Sequence, residues 1–252
     1  MVRTASFALL FVATNATLVL LFPFDLGKFF LCAGLYTAGT LVMLYLLFHP
    51  RNQFLVANRW QVESTGRRCV SLTFDDGPNQ EHTAALLRIL GAKGVRATFF
   101  VVGREVEEHP ELLRQVVAEG HQVANHTYSH PDLFCFLSPR RLRAEIERGQ
   151  QAVAGVCGRA PRHFRSPVGL RHPLLRRYLE LAGLEYISWR VRAFDTWAQT
   201  PQAIARRITT RVLPGDIILL HDRPGRAAES MLEALPGIID ELQSRGFEFV
   251  TL

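Results

Sequence analysis

From residue 69 onward, the sequence alternates short runs rich in β-branched and aromatic residues with longer stretches typical of helices. The short runs predict seven strands, at residues 69–75, 96–102, 122–125, 163–166, 184–189, 216–221 and 247–252. Between them, helices are predicted at about 80–92, 105–119, 138–156, 171–182, 201–212 and 227–244. Alternation repeated this often predicts an α/β fold around a parallel sheet, either a barrel or a doubly wound layer.

The N-terminal part of the sequence has a different composition. Residues 5–48 contain only two formal charges, Asp25 and Lys28, and an apolar run of nearly 20 residues lies on each side of them. Two transmembrane helices over residues 1–48 are therefore expected, which makes the lipid bilayer a partner and the chain a multi-pass protein of a bacterial-type plasma membrane. A cleaved signal peptide is disfavoured because no small-x-small site follows the first run, and a buried hairpin is the remaining alternative.

Residues 49–68 are polar and aperiodic, so we expect a linker there and a catalytic domain at 69–252. Arginines flank the apolar region on both sides, and the positive-inside rule applied to them favours the cytoplasm for both ends of the chain. These arginines are Arg3, Arg51, Arg59, Arg67 and Arg68.

Overall composition limits the partner classes. The formal net charge is +6, and all but two of the 29 Lys and Arg residues are arginine. Arginine suits anionic ligands, but these residues are dispersed and no nucleic-acid motif accompanies them, so we expect no nucleic-acid partner. The four cysteines show no paired spacing and are interpreted as inert core residues. The oligomeric state is not indicated.

Two adjacent carboxylates, Asp75 and Asp76, follow the first predicted strand and precede Gly77-Pro78. Acidic residues at the end of a strand, facing a loop, occupy the position where α/β folds place their chemistry. The strand breaks at this point, so both carboxylates can face one pocket. A solvated turn is the alternative, since Asp-Gly-Pro is ordinary turn chemistry.

His126 and His130 follow another predicted strand and are four residues apart. Two imidazoles and one carboxylate leave coordination positions open, as in catalytic metal sites. Such ligands suit zinc first, and also cobalt, nickel or iron. Polar loop histidines that bind nothing are the alternative.

Three further strand ends carry polar residues. Arg165 could hold a nearby carboxylate ionised and oriented. Asp195 and Trp197 place an acid and a large aromatic before the helix predicted at 201. His221 ends an apolar strand, where it could act as a general acid near neutral pH or be a core histidine.

These five stretches, in this order, resemble the polysaccharide deacetylases of carbohydrate esterase family 4, which contain the NodB-homology domain. The resemblance covers residues 69–252 and implies a distorted barrel of the (β/α)7 type that binds one divalent metal ion. It implies metal ligands Asp76, His126 and His130; a general base, Asp75, oriented by Arg165; a general acid, His221, tuned by Asp195; and substrate contacts from Leu219, Trp197 and the backbone N–H of Val168.

The implied activity is hydrolysis of the N-acetyl, or N-formyl, group of an amino sugar. Two substrates remain open: a polysaccharide, which most of the family handles, and a lipid-linked amino sugar. The second is suggested by the expected membrane anchor and by Val168, which stands where the family usually has an aromatic residue. The family favours the outer face of the membrane, against the charge bias.

A non-catalytic sugar-binding membrane protein on the same fold is the alternative from another functional class. It is disfavoured because the base, the metal ligands and the acid are all present in the sequence.

Overall fold

The computed structural model describes residues 26–64, 66–197 and 199–252. The first predicted transmembrane helix lies outside the described residues. The described helices are α1 (Leu26–Phe48), α2 (Thr83–Ala92), α3 (Gly103–Glu108), α4 (Pro110–Ala118), α5 (Pro139–Cys157), α6 (Leu175–Ala182), α7 (Pro201–Thr209) and α8 (Arg226–Ser244).

The strands form one parallel, half-barrel sheet with helices packed against it. They are β1 (Asn58–Arg59), β2 (Cys69–Asp75), β3 (Thr98–Val101), β4 (Gln122–Asn125), β5 (His163–Phe164), β6 (Glu185–Ile187), β7 (Val191–Arg192), β8 (Ile217–His221) and β9 (Glu248–Phe249). Their order is β1-β6-β5-β4-β3-β2-β8-β7, with β9 paired to β2. The prediction of a parallel α/β fold is confirmed, but nine strands are described instead of seven. Strand β1 lies in the polar segment 49–68 and β7 closely follows the strand predicted at 184–189, so neither has an apolar run of its own.

Strand β2 shows how the sequence aims side chains into the half-barrel. Successive strand residues point to opposite faces. Val70, Leu72 and Phe74 pack in the core cluster that includes α2 and α8 residues. Thr73 and Asp75 face the other way, and both contact the same arginine inside the half-barrel.

Strand β8 continues this arrangement next to β2. Its Ile218 and Leu220 join the same outer cluster, and Leu219 joins an inner cluster with Phe100 and Trp189. The parallel register pairs Asp75 with His221. The two predicted catalytic residues therefore end adjacent strands at the same edge of the sheet.

Part of the predicted linker, between α1 and β2, packs against the sheet. Asn58 and Arg59 pair with Tyr186 and Ile187 as strand β1, and Val56 and Val62 are buried. The two half-buried residues of β1 add an edge strand to the sheet within this polar segment.

Two predicted helices differ most from the expectation. The helix expected at 105–119 is two helices, α3 and α4, that meet at His109 and Pro110. Proline has no N–H to continue the helix and disfavours the helical region for the residue before it. Helix α6 begins at Leu175, four residues later than expected.

Within the described residues, α1 is the one helix long and apolar enough to cross a membrane. It has 23 residues, a mean hydropathy of 1.8 in its most apolar window, and no buried residue in that window. This is consistent with the second predicted span. A signal sequence near the N-terminus has the same properties, so length and composition alone do not distinguish an anchor from a signal.

Helix α5 lies unusually close to the loop that follows β4, and Gly149 makes this possible. A Cβ at Gly149 would lie 2.5 Å from Asn125 Oδ1 and 3.0 Å from the carbonyl carbon of Thr127. The helix therefore needs glycine at this point for packing, although glycine lowers helix propensity.

Replacing Gly149 with alanine is expected to destabilise the protein by about 1–3 kcal/mol, because the added methyl group overpacks the loop. The matched control is Gly155→Ala on the same helix, where nothing lies within 4 Å of the added Cβ. The control is expected to be neutral or to stabilise by up to about 1 kcal/mol, from helix propensity. Denaturant unfolding would measure both. Equal effects would contradict the close-packing interpretation.

Candidate active site

Three polar side chains converge at the carboxyl ends of β2 and β4. Asp76 Oδ1 lies 3.2 Å from His130 Nε2 and 3.5 Å from His126 Nε2. The candidate ligand atoms of all three residues are within 4.8 Å of one another. A carboxylate and two imidazoles at this spacing can hold one divalent ion while leaving positions open.

The protonation pattern of these residues fits a metal site. His126 Nδ1 lies 2.8 Å from the carbonyl oxygen of Arg165, which can only accept, so the hydrogen is on Nδ1 and Nε2 has a free lone pair. Asp76 Oδ1 is buried and accepts no hydrogen bond. Because a buried carboxylate oxygen is normally satisfied, this unpartnered atom between two imidazoles matches the need of a cation.

The pKa shifts of His130 and Asp76 also fit a metal site. Burial, followed by the charge of His126, lowers the pKa of His130, which favours a neutral imidazole. Burial would raise the pKa of Asp76, but the neighbouring imidazoles, His126 first, outweigh it and hold that pKa below its usual range. The carboxylate is therefore ionised at neutral pH.

The loops that carry these side chains hold sparsely populated backbone conformations. Among the described residues, five that are not glycine have positive φ, and all lie in loops that follow strands of the half-barrel: Asp76, Thr127, His130, Val168 and Phe194. Such conformations cost about 1–3 kcal/mol each and persist only where the surroundings impose them.

Buried polar side chains impose the conformation of the histidine loop. Glu145 of α5 accepts hydrogen bonds from the backbone N–H groups of Tyr128 and Ser129. Asn125 accepts one from the N–H of Thr127. These contacts support the turn that brings His130 back beside His126.

Asp75 lies next to the metal group and is paired with Arg165. Arg165 Nη1 donates to Asp75 Oδ1 at 2.6 Å and to Thr73 Oγ1 at 2.9 Å. The other oxygen, Asp75 Oδ2, lies 3.7 Å from His126 Nε2. The guanidinium thus holds one oxygen of Asp75 and leaves the second facing the group of possible ligands.

Arg165 itself is fully buried and its remaining donors are satisfied. Nε and Nη2 donate to the carbonyl oxygens of Ile187 and Ser188, and the guanidinium carbon lies 4.0 Å from the centre of the Phe100 ring. A buried cation needs such complete pairing. The position of the Asp75 carboxylate is therefore set by a rigid cage.

His221 and Asp195 form a second buried pair across the site. Asp195 Oδ1 lies 2.9 Å from His221 Nδ1, and Asp195 Oδ2 accepts from the backbone N–H of His221. Burial alone would lower the pKa of His221, but the negative charge and hydrogen bond of Asp195, with smaller contributions from Asp76 and Asp75, raise it. The pair can hold a proton on the imidazole near neutral pH.

These groups line a cavity of about 210 Å³. Of the ten residues predicted from the sequence, eight line it, while Arg165 and Asp195 lie behind Asp75 and His221. Val168 and Trp197 are exposed, at 50% and 64% of their surface, and Leu219 is buried. A neighbouring groove of about 390 Å³ shares Asp76, His130 and Arg223 with the cavity.

The family model for polysaccharide deacetylase matches residues 62–187. The chain belongs to the polysaccharide deacetylase family. The family resemblance of the sequence and the predicted enzyme class, an amino-sugar deacetylase, are both confirmed.

Named relatives agree with this membership. The chain is 40% identical over 196 residues to a chitooligosaccharide deacetylase of Bradyrhizobium sp., covering 73% of this chain and 89% of the relative. It is 34% identical over 186 residues to a peptidoglycan-N-acetylglucosamine deacetylase of Bacillus cereus, covering 73% and 66%. The solved structure of the Bc1960 peptidoglycan N-acetylglucosamine deacetylase is similar with a TM-score of 0.74 and 30% identity, over 77% and 90% of the two chains.

The structure also places residues in this deacetylase site that the sequence analysis missed. Arg192, Thr196, Trp189 and Arg223 line the cavity. Trp189 ends the predicted strand 184–189, whereas the other three depend on the short strand β7 and on the turn after β8, neither of which has a distinctive pattern. Arg223 follows His221-Asp222 closely in sequence, so its proximity to the predicted acid was the available signal.

Asp222 is another missed residue, and it supports the turn at Gly77. Its carboxylate accepts hydrogen bonds from Asn79 Nδ2 and Thr83 Oγ1, and its backbone N–H donates to the carbonyl oxygen of Asp75. Burial raises the pKa of Asp222 to about 7, although the hydrogen bonds from Thr83 and Asn79 oppose the increase. Asp222 thus braces the acidic loop against β8.

Loss of a ligand is expected to remove stoichiometric metal. Asp76→Ala or His126→Ala should weaken divalent-ion binding by more than about 100-fold. Loss of a residue that only orients a metal ligand already weakens binding by up to about 100-fold, and loss of the ligand itself costs more. The matched control is Asp132→Ala, because the Asp132 carboxylate lies 3.8 Å from His130 Nδ1 but is exposed. Metal analysis after dialysis would measure this, and full metal content in Asp76→Ala would exclude the site.

Proposed function

We propose that this protein is a metal-dependent amide hydrolase that removes N-acetyl groups from the amino sugars of a glycan. The observation that carries the proposal is the convergence of Asp75 and His221 on one cavity beside the Asp76, His126 and His130 group. An amide hydrolase needs a base for water, a stabilised oxyanion and an acid for the departing amine. This family member presents candidates for each.

Asp76, His126 and His130 would hold the divalent ion, with zinc preferred and cobalt, nickel or iron also suited to these ligands. When bound, such an ion lowers the pKa of water and polarises the substrate carbonyl. The unpartnered Asp76 Oδ1 and the free lone pair of His126 Nε2 support this assignment.

Asp75 is proposed as the general base. Arg165 donates to its Oδ1, which leaves Oδ2 to accept a proton from the attacking water. The arginine acts through Asp75 and does not touch the substrate. Because Arg165 is completely buried, water does not compete for its hydrogen bond to Asp75.

His221 is proposed as the general acid. Asp195 binds the Nδ1 hydrogen, which leaves Nε2 to donate a proton to the departing amine as the carbon–nitrogen bond breaks. The products are a carboxylate and a free amino sugar. The raised pKa of His221 supports a protonated imidazole at the start of this step.

Three residues are proposed to bind the substrate. Leu219, buried beneath the cavity, would contact the acetyl methyl group, and the exposed ring of Trp197 would stack on a sugar. The backbone N–H of Val168 would donate to the oxyanion. A formyl group would fill less of the same space, so the cavity admits both acyl groups.

The second candidate substrate is a lipid-linked amino sugar. It is supported by α1, a potential anchor, and by aliphatic Val168 at a rim position where the family usually has a flat ring. A polysaccharide substrate is supported by the relatives that act on chitooligosaccharide and peptidoglycan.

Product analysis tests the two substrates directly. N-acetylated and N-formylated oligosaccharides and lipid-linked amino sugars would be incubated with the metal-loaded protein, and the released acid and the free amine quantified. Release of acetate or formate from one class identifies the substrate. No release from any of them contradicts the proposed activity.

We propose an organisation in which residues 1–48 form the membrane segment, 49–68 connect it and 69–252 carry the catalytic domain. The buried residues and strand within 49–68 support a domain that extends towards α1. The proposed location is a bacterial-type plasma membrane.

Asp75→Asn is expected to lower the deacetylation rate by about 10²–10⁴-fold, the usual contribution of a general base. Metal content should stay at the wild-type level, because Asp76 and both histidines are unchanged. Initial rates and metal analysis on the same sample would check both expectations. An unchanged rate in the metal-loaded variant would refute Asp75 as the base.

Asp195→Asn is expected to move the alkaline limb of the pH profile of kcat/KM to lower pH, by about one unit. Asp195 raises the pKa of His221. Without its negative charge, the imidazole loses its proton at a lower pH, and the acid-competent form disappears earlier as pH rises. The exposed Asp132→Asn serves as control and should leave the limb in place. A limb unmoved in Asp195→Asn would mean that another group supplies the proton.

A further inference from the structure

We propose that the surface turn Leu133–Phe136 is a second membrane contact, which holds the domain face beside the end of α1 against the bilayer. The inference rests on the proposed anchoring role of α1 and extends the proposed function by placing its cavity at a lipid surface. It concerns a contact of the domain itself, beyond the anchor.

The first support is the way α1 is fastened to the domain. Arg171 donates from Nη1 to the carbonyl oxygen of His49 at 2.7 Å and from Nη2 to that of Pro50 at 2.6 Å. Its backbone N–H donates to the carbonyl oxygen of Leu47 at 3.3 Å. The last carbonyls of a helix lack partners within the helix, and a cation near them is favourable.

This fastening makes the end of α1 part of the domain. Arg171 is fully buried, so removing residues 47–50 would leave a buried guanidinium without these acceptors, which is unfavourable. Asn52 Nδ2 also donates to the carbonyl oxygens of Tyr45 and Leu46. The structure thus favours a retained anchor over a cleaved signal, and the domain cannot rotate freely about α1.

The second support is the location of the turn. Phe134 and Cys135 are buried in a cluster against which Leu47 of α1 and Leu137 also pack. The ring of His172, adjacent to Arg171, hydrogen bonds through Nε2 to the carbonyl oxygen of Leu137 at 3.0 Å. The turn and the end of α1 therefore share one cluster.

The third support is the surface that the turn presents. Leu133 and Phe136 are 67% and 76% exposed, while the two residues between them are buried. The following residues, Arg140 and Arg141 at the start of α5, are exposed as well. Apolar side chains next to arginines match a bilayer interface, where rings enter the acyl boundary and cations meet anionic headgroups.

The dimensions of α1 agree with this placement. Its 23 residues extend for about 34 Å as a helix, enough to cross a hydrocarbon core of about 30 Å. Its fastened end then lies at the interface, at the level of the turn. Since Leu133 is three residues beyond His130, the candidate metal group lies close to the lipid surface.

The test uses the full chain reconstituted in lipid nanodiscs with bromine on the acyl chains. Phe136→Trp introduces a reporter in the turn, and Leu213→Trp is the matched control. Leu213 is 52% exposed and precedes β8, at the opposite edge of the sheet from His221. The emission of native Trp60, Trp189 and Trp197 is measured in the unmodified chain and subtracted.

Bromine is expected to quench at least twofold more of the added emission at position 136 than at 213. Equal quenching would overturn the proposal. A concentration-dependent dimer in micelles, with no excess quenching at 136, would also overturn it and assign the turn to a second copy of the chain.

A paired rate measurement supplies the functional outcome. Leu133→Ser with Phe136→Ser is expected to lower deacetylation of a bilayer-presented N-acetyl amino-sugar lipid by about fivefold relative to a soluble N-acetylated oligosaccharide. An unchanged ratio would contradict the functional consequence. If the unmodified chain hydrolyses neither substrate, the proposed function fails, while the quenching comparison still decides the membrane contact.

Discussion

The buried ion pair between Arg165 and Asp75 organises the site. Arg165 lies in the loop after β5, and its guanidinium donates to Asp75 at the end of β2 and to the carbonyl oxygen of Ile187 at the end of β6. The backbone carbonyl oxygen of Arg165 accepts a hydrogen bond from His126. One residue therefore orients the proposed base and a proposed metal ligand. Removing one partner of a buried pair costs about 3–5 kcal/mol, so the interior depends on this contact for structure as well as chemistry.

The loops that carry the candidate site are also preorganised by the elements packed around them. The unfavourable backbone conformations at Asp76, Thr127 and His130 are held by neighbouring elements. Glu145 accepts hydrogen bonds from the histidine loop, and the backbone N–H of Asp222 donates to the carbonyl oxygen of Asp75. Fixed side chains need little rearrangement when charge develops during a reaction, and this is the basis of electrostatic catalysis. The stability of the helices and sheet thus maintains loops that are unfavourable in isolation.

Much of this arrangement was predictable because it follows from local patterns. Polar residues at successive strand ends meet at one edge of a parallel sheet. This rule predicted from the sequence that Asp76, His126 and His221 lie close together. Glu145 and Asp222 were not predictable in the same way. Their partners lie on other elements, 16 residues away for Ser129 and 139 for Thr83, and a buried carboxylate on a helix or turn has no local signature. Strands β1 and β7 were missed because their residues, Asn58-Arg59 and Val191-Arg192, lie outside any apolar run.

The sequence by itself determined the parallel α/β class, the family and the residue types available for chemistry, because strand periodicity and strand-end polarity are local properties. Only the tertiary structure decided the parallel register that sets Asp75 beside His221, the cage around Arg165 and the attachment of α1 through Arg171. These depend on pairing between segments far apart in the chain, where one residue of slippage would turn each side chain to the opposite face.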